Sequence, residues 1–250
     1  MAEMLDLDAE VLHDFHSEVF GWVRSAAPAR PVVIDLGAGT GTGSIALARE
    51  LPEATVIAVD RDPGMLAAIR AKSERVRTVE ADLDGPWPAL GPADVVWASA
   101  SMHHMSDPGY AVAQAKALLR PGGVFVVSEL EGFPRFLPPG EGADLEQRCH
   151  DVMAEIRVEH GMHMSEDWAA RLTKAGFTDV AERHFDIALT PPLPAAAGRY
   201  AFVSLSRMAQ GLEGRLPAGD LTALAEIAAT VAGRDDLTVR TERTVWLARA

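Results

Sequence analysis

The sequence predicts an α/β fold built on a parallel sheet, and three observations predict it. Short apolar, β-branched runs alternate with amphipathic helical segments through the first half of the chain. A glycine-rich turn joins the first of those strands to the helix behind it. The 250 residues, 48% hydrophobic and 24% charged, have the composition of an ordinary globular chain long enough to bury a large core. Strands that recur with a helix between them are joined by right-handed crossovers, which make neighbouring strands parallel.

The elements follow in order. Val11, Leu12, Phe15, Val19, Phe20 and Val23 fall at helical spacing from an N-cap at Asp8 to Arg24. Residues 26–31 break that pattern, so residues 1–30 stand apart as a helical segment. Val32–Ile34 is the first strand and Thr42–Leu51 its helix. Thr55–Val59, Val76–Val79, Ala93–Ala98 and Val124–Val127 are further strands. Pro63–Ala71 and Tyr110–Leu119 are helices, the second stopped by Arg120-Pro-Gly-Gly123. Beyond Glu129 the alternation lapses. Gly132–Gly142 reads as a loop and Ala143–Glu159 as a helix. Ser165 reads as the N-cap of another helix, ended by Gly176. A possible strand lies in Phe177–Leu189, helices in Arg199–Gln210 and Gly219–Ala232, and a last strand in Glu242–Ala248. Residues 31–250 therefore form the main domain. Insertions at about 131–164 and 190–236 are expected to cover the site.

Composition excludes several classes. A net charge of −13 argues against a nucleic-acid partner, because phosphate-backbone binding needs a basic face. The lone Cys149 excludes an intrachain disulfide framework and an all-thiolate metal site. No apolar run approaches the roughly 18 residues needed to span a bilayer, and the acidic start does not read as a signal peptide. A cytoplasmic protein, monomeric or homodimeric, is expected.

Asp35-Leu-Gly37-Ala-Gly39-Thr-Gly41-Thr-Gly43 follows the first strand. Glycines there allow positive φ and close approach of a ligand, and the helix behind offers free N–H groups. Asp60 ends the second strand, where a carboxylate can accept from both ribose hydroxyls. Two nucleotide ligands fit. Gly41-x-Gly43-x-x-Ala46 formally matches a dinucleotide fingerprint, which keeps a nicotinamide-dependent oxidoreductase as an alternative. Asp35 argues against it, since a carboxylate there would repel a pyrophosphate but suit a ligand with an ammonium and a sulfonium. Tyr110 and Tyr200 have Gln114 and Ser204 four residues on, so no Tyr-x-x-x-Lys pair is present.

In these segments the sequence resembles the class I S-adenosylmethionine-dependent methyltransferases of small molecules. VVIDLGAGTGTGS, AVDRDPGML, VEADLDGPWP, ADVVWASASMHHM and LLRPGGVFVVSEL carry the resemblance, in order, from Pro31 to Leu130. It implies a Rossmann-like, seven-stranded, mostly parallel sheet with helices on both faces. The last strand would be antiparallel, inserted beside the fifth; ERTVWLA is the candidate. It implies S-adenosylmethionine as cofactor and a small-molecule methyl acceptor. Asp35 would sit near the methionine ammonium, with Gly37, Ala38 and Gly39 along the methionine and ribose. Asp60 would hold the ribose hydroxyls, Arg61 and Met65 would flank the adenine, and Asp82 and Leu83 would meet its edge. Ser99 would lie near the methionine carboxylate or the sulfonium. A non-catalytic protein with the same donor site is the remaining alternative.

Methyl transfer from a sulfonium is an in-line displacement, so positioning and desolvation supply much of the rate. A base is needed only where the acceptor must lose a proton. His103 and His104 follow the fourth strand and are candidates for that base. Glu129, after the fifth strand, could orient the acceptor. His150, His160 and His163, in an insertion, could line the pocket. Met102, Met105, Met153, Met162 and Met164 suggest an adaptable apolar wall. Arg199 and Tyr200 could recognise an anionic or phenolic acceptor. The N-terminal helix could close over the cofactor. No metal site is expected.

Overall fold

The computed structural model describes residues 1–164 and 166–250; the N-cap expected at Ser165 lies outside them. Strands β1 (Val32–Leu36), β2 (Thr55–Asp60), β3 (Val76–Glu80), β4 (Ala93–Ser99), β5 (Leu119–Leu130), β6 (Thr178–Leu189) and β7 (Val239–Arg249) form one sheet. Their order is β3-β2-β1-β4-β5-β7-β6. β1 to β5 pair in parallel, whereas β7 runs antiparallel to both β5 and β6. ERTVWLA thus lies in the antiparallel strand beside the fifth, as the resemblance implies. The chain moves from β1 outward to β2 and β3, then returns to place β4 on the other side of β1. The carboxyl ends of β1 and β4 flank this switch point, where open α/β sheets bind ligands.

The helices are α1 (Ala2–Val11), α2 (His13–Ala26), α3 (Thr42–Glu50), α4 (Pro63–Lys72), α5 (Pro108–Leu118), α6 (Glu141–Glu159), α7 (Trp168–Lys174), α8 (Ala197–Gly211) and α9 (Ala218–Val231). Several starts are written in the sequence. Asp62 caps α4 by accepting from the N–H of Gly64 at 2.7 Å, with Pro63 in the first helical position. Asp107 and Pro108 repeat the device at α5, and Asp167 caps α7 through Ala170 N–H.

Alternate strand residues feed two cores. Val124 and Val126 of β5 and Val245 and Leu247 of β7 face α2, α3, α6, α8 and α9. Phe125, Val127, Trp246 and Ala248 face α5 and α7. Both faces of the sheet are therefore covered. Each fully buried Leu or Phe contributes about 1.5–3 kcal/mol by leaving water.

Two expectations are corrected. The single N-terminal helix from Asp8 is two helices, beginning at Ala2 and broken at Leu12. Its first part is fixed by tertiary contact: Leu5 packs over Gly39, and a Cβ on that glycine would lie 3.0 Å from the Leu5 Cδ1. The break expected at residues 120–123 is instead the first part of β5, with Gly122 at φ +79° and the register against β4 shifted between Ala93 and Val95.

Gly37 has φ +70°, and a Cβ there would come within 2.6 Å of the Ser101 Cβ. Ser101 cannot move away freely, because its hydroxyl donates to Leu36 C=O at 2.8 Å. Gly37→Ala is expected to cost about 1–3 kcal/mol. Urea denaturation would read this as a lower midpoint at unchanged slope.

Candidate functional site

The carboxyl ends of β1, β2, β4 and β5 gather the charged groups. Asp35 on β1 is only 2% exposed. Its Oδ2 accepts from the Ser44 hydroxyl at 2.5 Å, across the glycine turn at the start of α3. Burial, the leading cause, pushes its carboxyl up to about 7; Asp60 adds like-charge repulsion, and the Ser44 hydrogen bond opposes both. The turn between them is shaped by Gly37, Gly39 and Gly41, all at positive φ. Gly37 and Ala38 donate their N–H groups to Val59 C=O, stitching the turn to β2.

Asp60 ends β2. Its Oδ2 accepts from Gly39 N–H at 2.8 Å and its Oδ1 from Asp62 N–H at 2.9 Å. Each carboxylate oxygen has a further lone pair, so the group can still accept from a ligand. Arg61 and Asp82 line a shallow depression beside β2 and β3. Leu83 is buried beneath it, and its carbonyl accepts from Trp87 Nε1 at 2.9 Å. Met65, on the first turn of α4, is half-buried. The adenine-side candidates thus lie close together on one rim.

On the other side of the switch point, a cavity of about 360 Å³ opens beyond β4 and β5. Ser99, His103, His104 and Glu129 all line it. Glu129 is buried and saturated. Its Oε1 accepts from Met102 N–H at 2.9 Å, and its Oε2 lies 2.5 Å from His103 Nδ1. This pairing places the proton on Nδ1 and leaves Nε2 as the free acceptor. His104 packs against His103 with its ring tilted by 44° and 4.2 Å between ring centres. Burial, helped by His103, lowers its pKa to about 4, so His104 is neutral near pH 7 and a weak base.

Residues from 131–164 and 190–236 are among those lining the cavity. Met153, Met162 and Met164 line the cavity; His150, His160 and His163 are not among the lining side chains, nor are Met102 and Met105. His163 contributes through its backbone, donating to His103 C=O at 2.9 Å. Arg199 pairs with Glu3 on the surface. Asp35 sits beneath the turn rather than on the cavity wall.

Sequence reasoning missed the ties of α1. Asp6 accepts from Lys72 Nζ at 2.6 Å and from the Thr40 hydroxyl at 2.7 Å, joining α1 to α4 and the glycine turn. Asp8 accepts from Arg243 Nη2 at 2.7 Å and from the Tyr200 hydroxyl at 2.6 Å, joining α1 to β7 and α8. Burial alone would raise the Asp8 carboxyl, but Arg243, His16 and Tyr200 together hold it well below its usual range. Partners up to 235 residues apart leave no local pattern to read. Among the described residues, no group of three or more His, Cys, Asp or Glu is placed to hold a metal ion, and no helix is long and apolar enough to cross a membrane.

Comparison with known proteins bears on this geometry. Residues 33–123 match the model of a methyltransferase domain family. That span contains the glycine turn, Asp60, Asp82 and the two histidines. In this span the chain is similar to the methyltransferase domain family. Trans-aconitate 2-methyltransferase of Azoarcus sp. (strain BH72) is 31% identical over 168 residues, which are 67% of this chain and 53% of that one. The corresponding protein of Acidovorax sp. (strain JS42) is 27% identical over 187 residues, 71% of this chain and 67% of its own. The chain thus spans about half the length of the Azoarcus relative. Among solved structures, phosphoethanolamine N-methyltransferase 2 of Haemonchus contortus, determined with S-adenosyl-L-methionine, superposes with a TM-score of 0.53 at 16% identity. That match covers 93% of this chain and 52% of the other, and it shows the shared Rossmann-like fold.

Asp35 generates a test of stability. Its folded pKa of about 7 lies above the ordinary 3.8, so the folded state holds a proton that the unfolded state has released. That contribution to stability is complete below pH 3.8 and is lost as pH rises to about 7. Asp35→Asn removes this loss, and its unfolding free energy is expected to fall less than the wild type's across the same window. Urea titrations at several pH values would measure it; parallel curves would refute the assignment.

Proposed function

We propose that this protein is a class I methyltransferase that moves a methyl group from S-adenosylmethionine to a small organic acceptor, releasing S-adenosylhomocysteine. The observation that carries the reading is the glycine turn pinned to the carboxylate of Asp60 at the carboxyl end of β2. Gly37 and Gly39 hold conformations that L side chains rarely adopt, in a close-packed bend that a Cβ would fill. When bound, the cofactor supplies an already activated methyl sulfonium.

This chain's residues do the rest. Asp60 accepts from the ribose hydroxyls while Gly39 and Asp62 hold its other lone pairs. Ionised Asp35 provides negative charge beneath the methionine end. Gly37 and Ala38 lie along the methionine, and Ser99 lies at its carboxylate or sulfonium end. Arg61, Met65, Asp82 and Leu83 flank the adenine. Helix α1, over the turn, excludes water from the donor as an N-terminal lid, and the insertions cover the acceptor. Where the acceptor must lose a proton, His103 Nε2 takes it; Glu129 holds the ring and stabilises the imidazolium that forms. His104 orients rather than titrates. The acidic surface and the small enclosed cavity favour a metabolite over a nucleic acid or protein. A cytoplasmic enzyme, monomeric or homodimeric, with a single buried thiol at Cys149, completes the reading.

S-adenosylhomocysteine at a hundred times its dissociation constant is expected to stabilise the fold by about 2.7 kcal/mol, seen as a raised melting temperature, while NAD should leave it unchanged. Asp60→Ala is expected to remove most of that shift. Stabilisation by NAD alone would restore the oxidoreductase alternative, and donor binding without turnover on any metabolite would favour a non-catalytic role. Once an acceptor is found, His103→Gln is expected to lower kcat by roughly 10²–10⁴ with little change in KM if proton removal is required. An unchanged kcat and pH profile would show that positioning alone suffices.

A further inference from the structure

Among the described residues, the cavity holds one buried cation with no carboxylate partner. Arg157, on α6, lines it and is 7% exposed. Its Nη2 is buried without a hydrogen-bond partner. The guanidinium carbon lies over the Phe133 ring, 4.0 Å from its centre. Burial lowers its pKa, with no carboxylate contributing to the shift. The other charged groups facing the cavity are accounted for. Arg243 pairs with Asp8, and Glu129 accepts from the backbone N–H groups of Met102 and His103 and contacts His103 Nδ1. Arg207 adds a second guanidinium, exposed on α8, and the hydroxyl of Ser204, one helical turn away, is buried and also unpartnered. The remaining wall is apolar and deformable: Phe133, Pro134, Met153, Met162, Met164 and Met208.

We infer that Arg157 is an acceptor-binding residue, and that the acceptor is an amphipathic carboxylate with one anionic group on an apolar body. A buried guanidinium without a partner is costly, and a ligand carboxylate meets it with two parallel hydrogen bonds. The methionine walls would accept an alkyl or aromatic body and offer no second built anion site. This inference rests on the methyltransferase reading only for the word acceptor; the anion site itself rests on Arg157.

The test uses the full chain, with octanoate, 1-octanol and octylamine as probes. Titration calorimetry is expected to show octanoate binding roughly 10- to 100-fold more tightly than either counterpart. Arg157→Gln should abolish that preference, and Arg157→Lys should keep part of it, since an ammonium retains the charge but not the planar fork. S-adenosylhomocysteine is titrated in parallel. Wild-type protein that binds all three probes equally, or an Arg157→Gln chain that is folded and keeps the preference, overturns the inference. Should Arg157→Gln fail to fold, the wild-type comparison of octanoate with 1-octanol decides alone. A wild type that discriminates octanoate but ignores S-adenosylhomocysteine supports the anion site and refutes the methyltransferase reading; the opposite pattern does the reverse.

Discussion

The hydrogen bond from Gly39 N–H to the carboxylate of Asp60 organises this molecule. It ties the bend after β1 to the end of β2, so two strand ends and the start of α3 move as one body. A charge-assisted bond of this kind is about twice as strong as a neutral one. It also fixes the spacing of two acids. Asp60 stays at the half-exposed rim, while Asp35 sinks beneath the bend and relies on Ser44. The unequal solvation of these two carboxylates follows from that arrangement. One keeps contact with water, and the other is shielded from it.

Across the switch point the same economy of partners recurs with a different result. Glu129 spends both oxygens on the 102–103 segment, so the turn after β4 is held rigid and the ring of His103 has one orientation. His104, although adjacent in sequence and packed against its neighbour, is driven to neutrality by burial. Two histidines that look equivalent in the chain have separate chemistry because only one meets a carboxylate directly.

What the sequence makes legible is what is local. The strand runs, the glycine bend and the position of Asp60 at a strand end each depend on residues a few positions apart, and the fold agrees with them. The antiparallel last strand is legible only through the resemblance, because nothing within ERTVWLA states its direction. The misses are long-range. Helix α1 begins at Ala2 because of contacts with the glycine turn, not because of its own weak periodicity. The strand through Arg120–Gly123 overrides two glycines and a proline because Leu119 pairs with Ala93 of β4 and Gly122 and Gly123 exchange hydrogen bonds with Ala250. Arg157 falls on a helix whose face is chosen by packing partners that the chain supplies much later. A partnerless guanidinium is a property of three-dimensional surroundings, and no spacing rule announces it.

Helix α1 is moored on two shores of unequal strength. On the glycine-turn side, Lys72 and Asp6 are both more than a third exposed, and ions in such contact with water hold each other weakly. On the β7 side, Arg243 is 8% exposed and shares Asp8 with a buried Tyr200. Met1, Met4, Leu5 and Asp8 also form part of the cavity wall, so this one helix covers the glycine turn and borders the cavity at once, and loosening its weaker mooring would expose both.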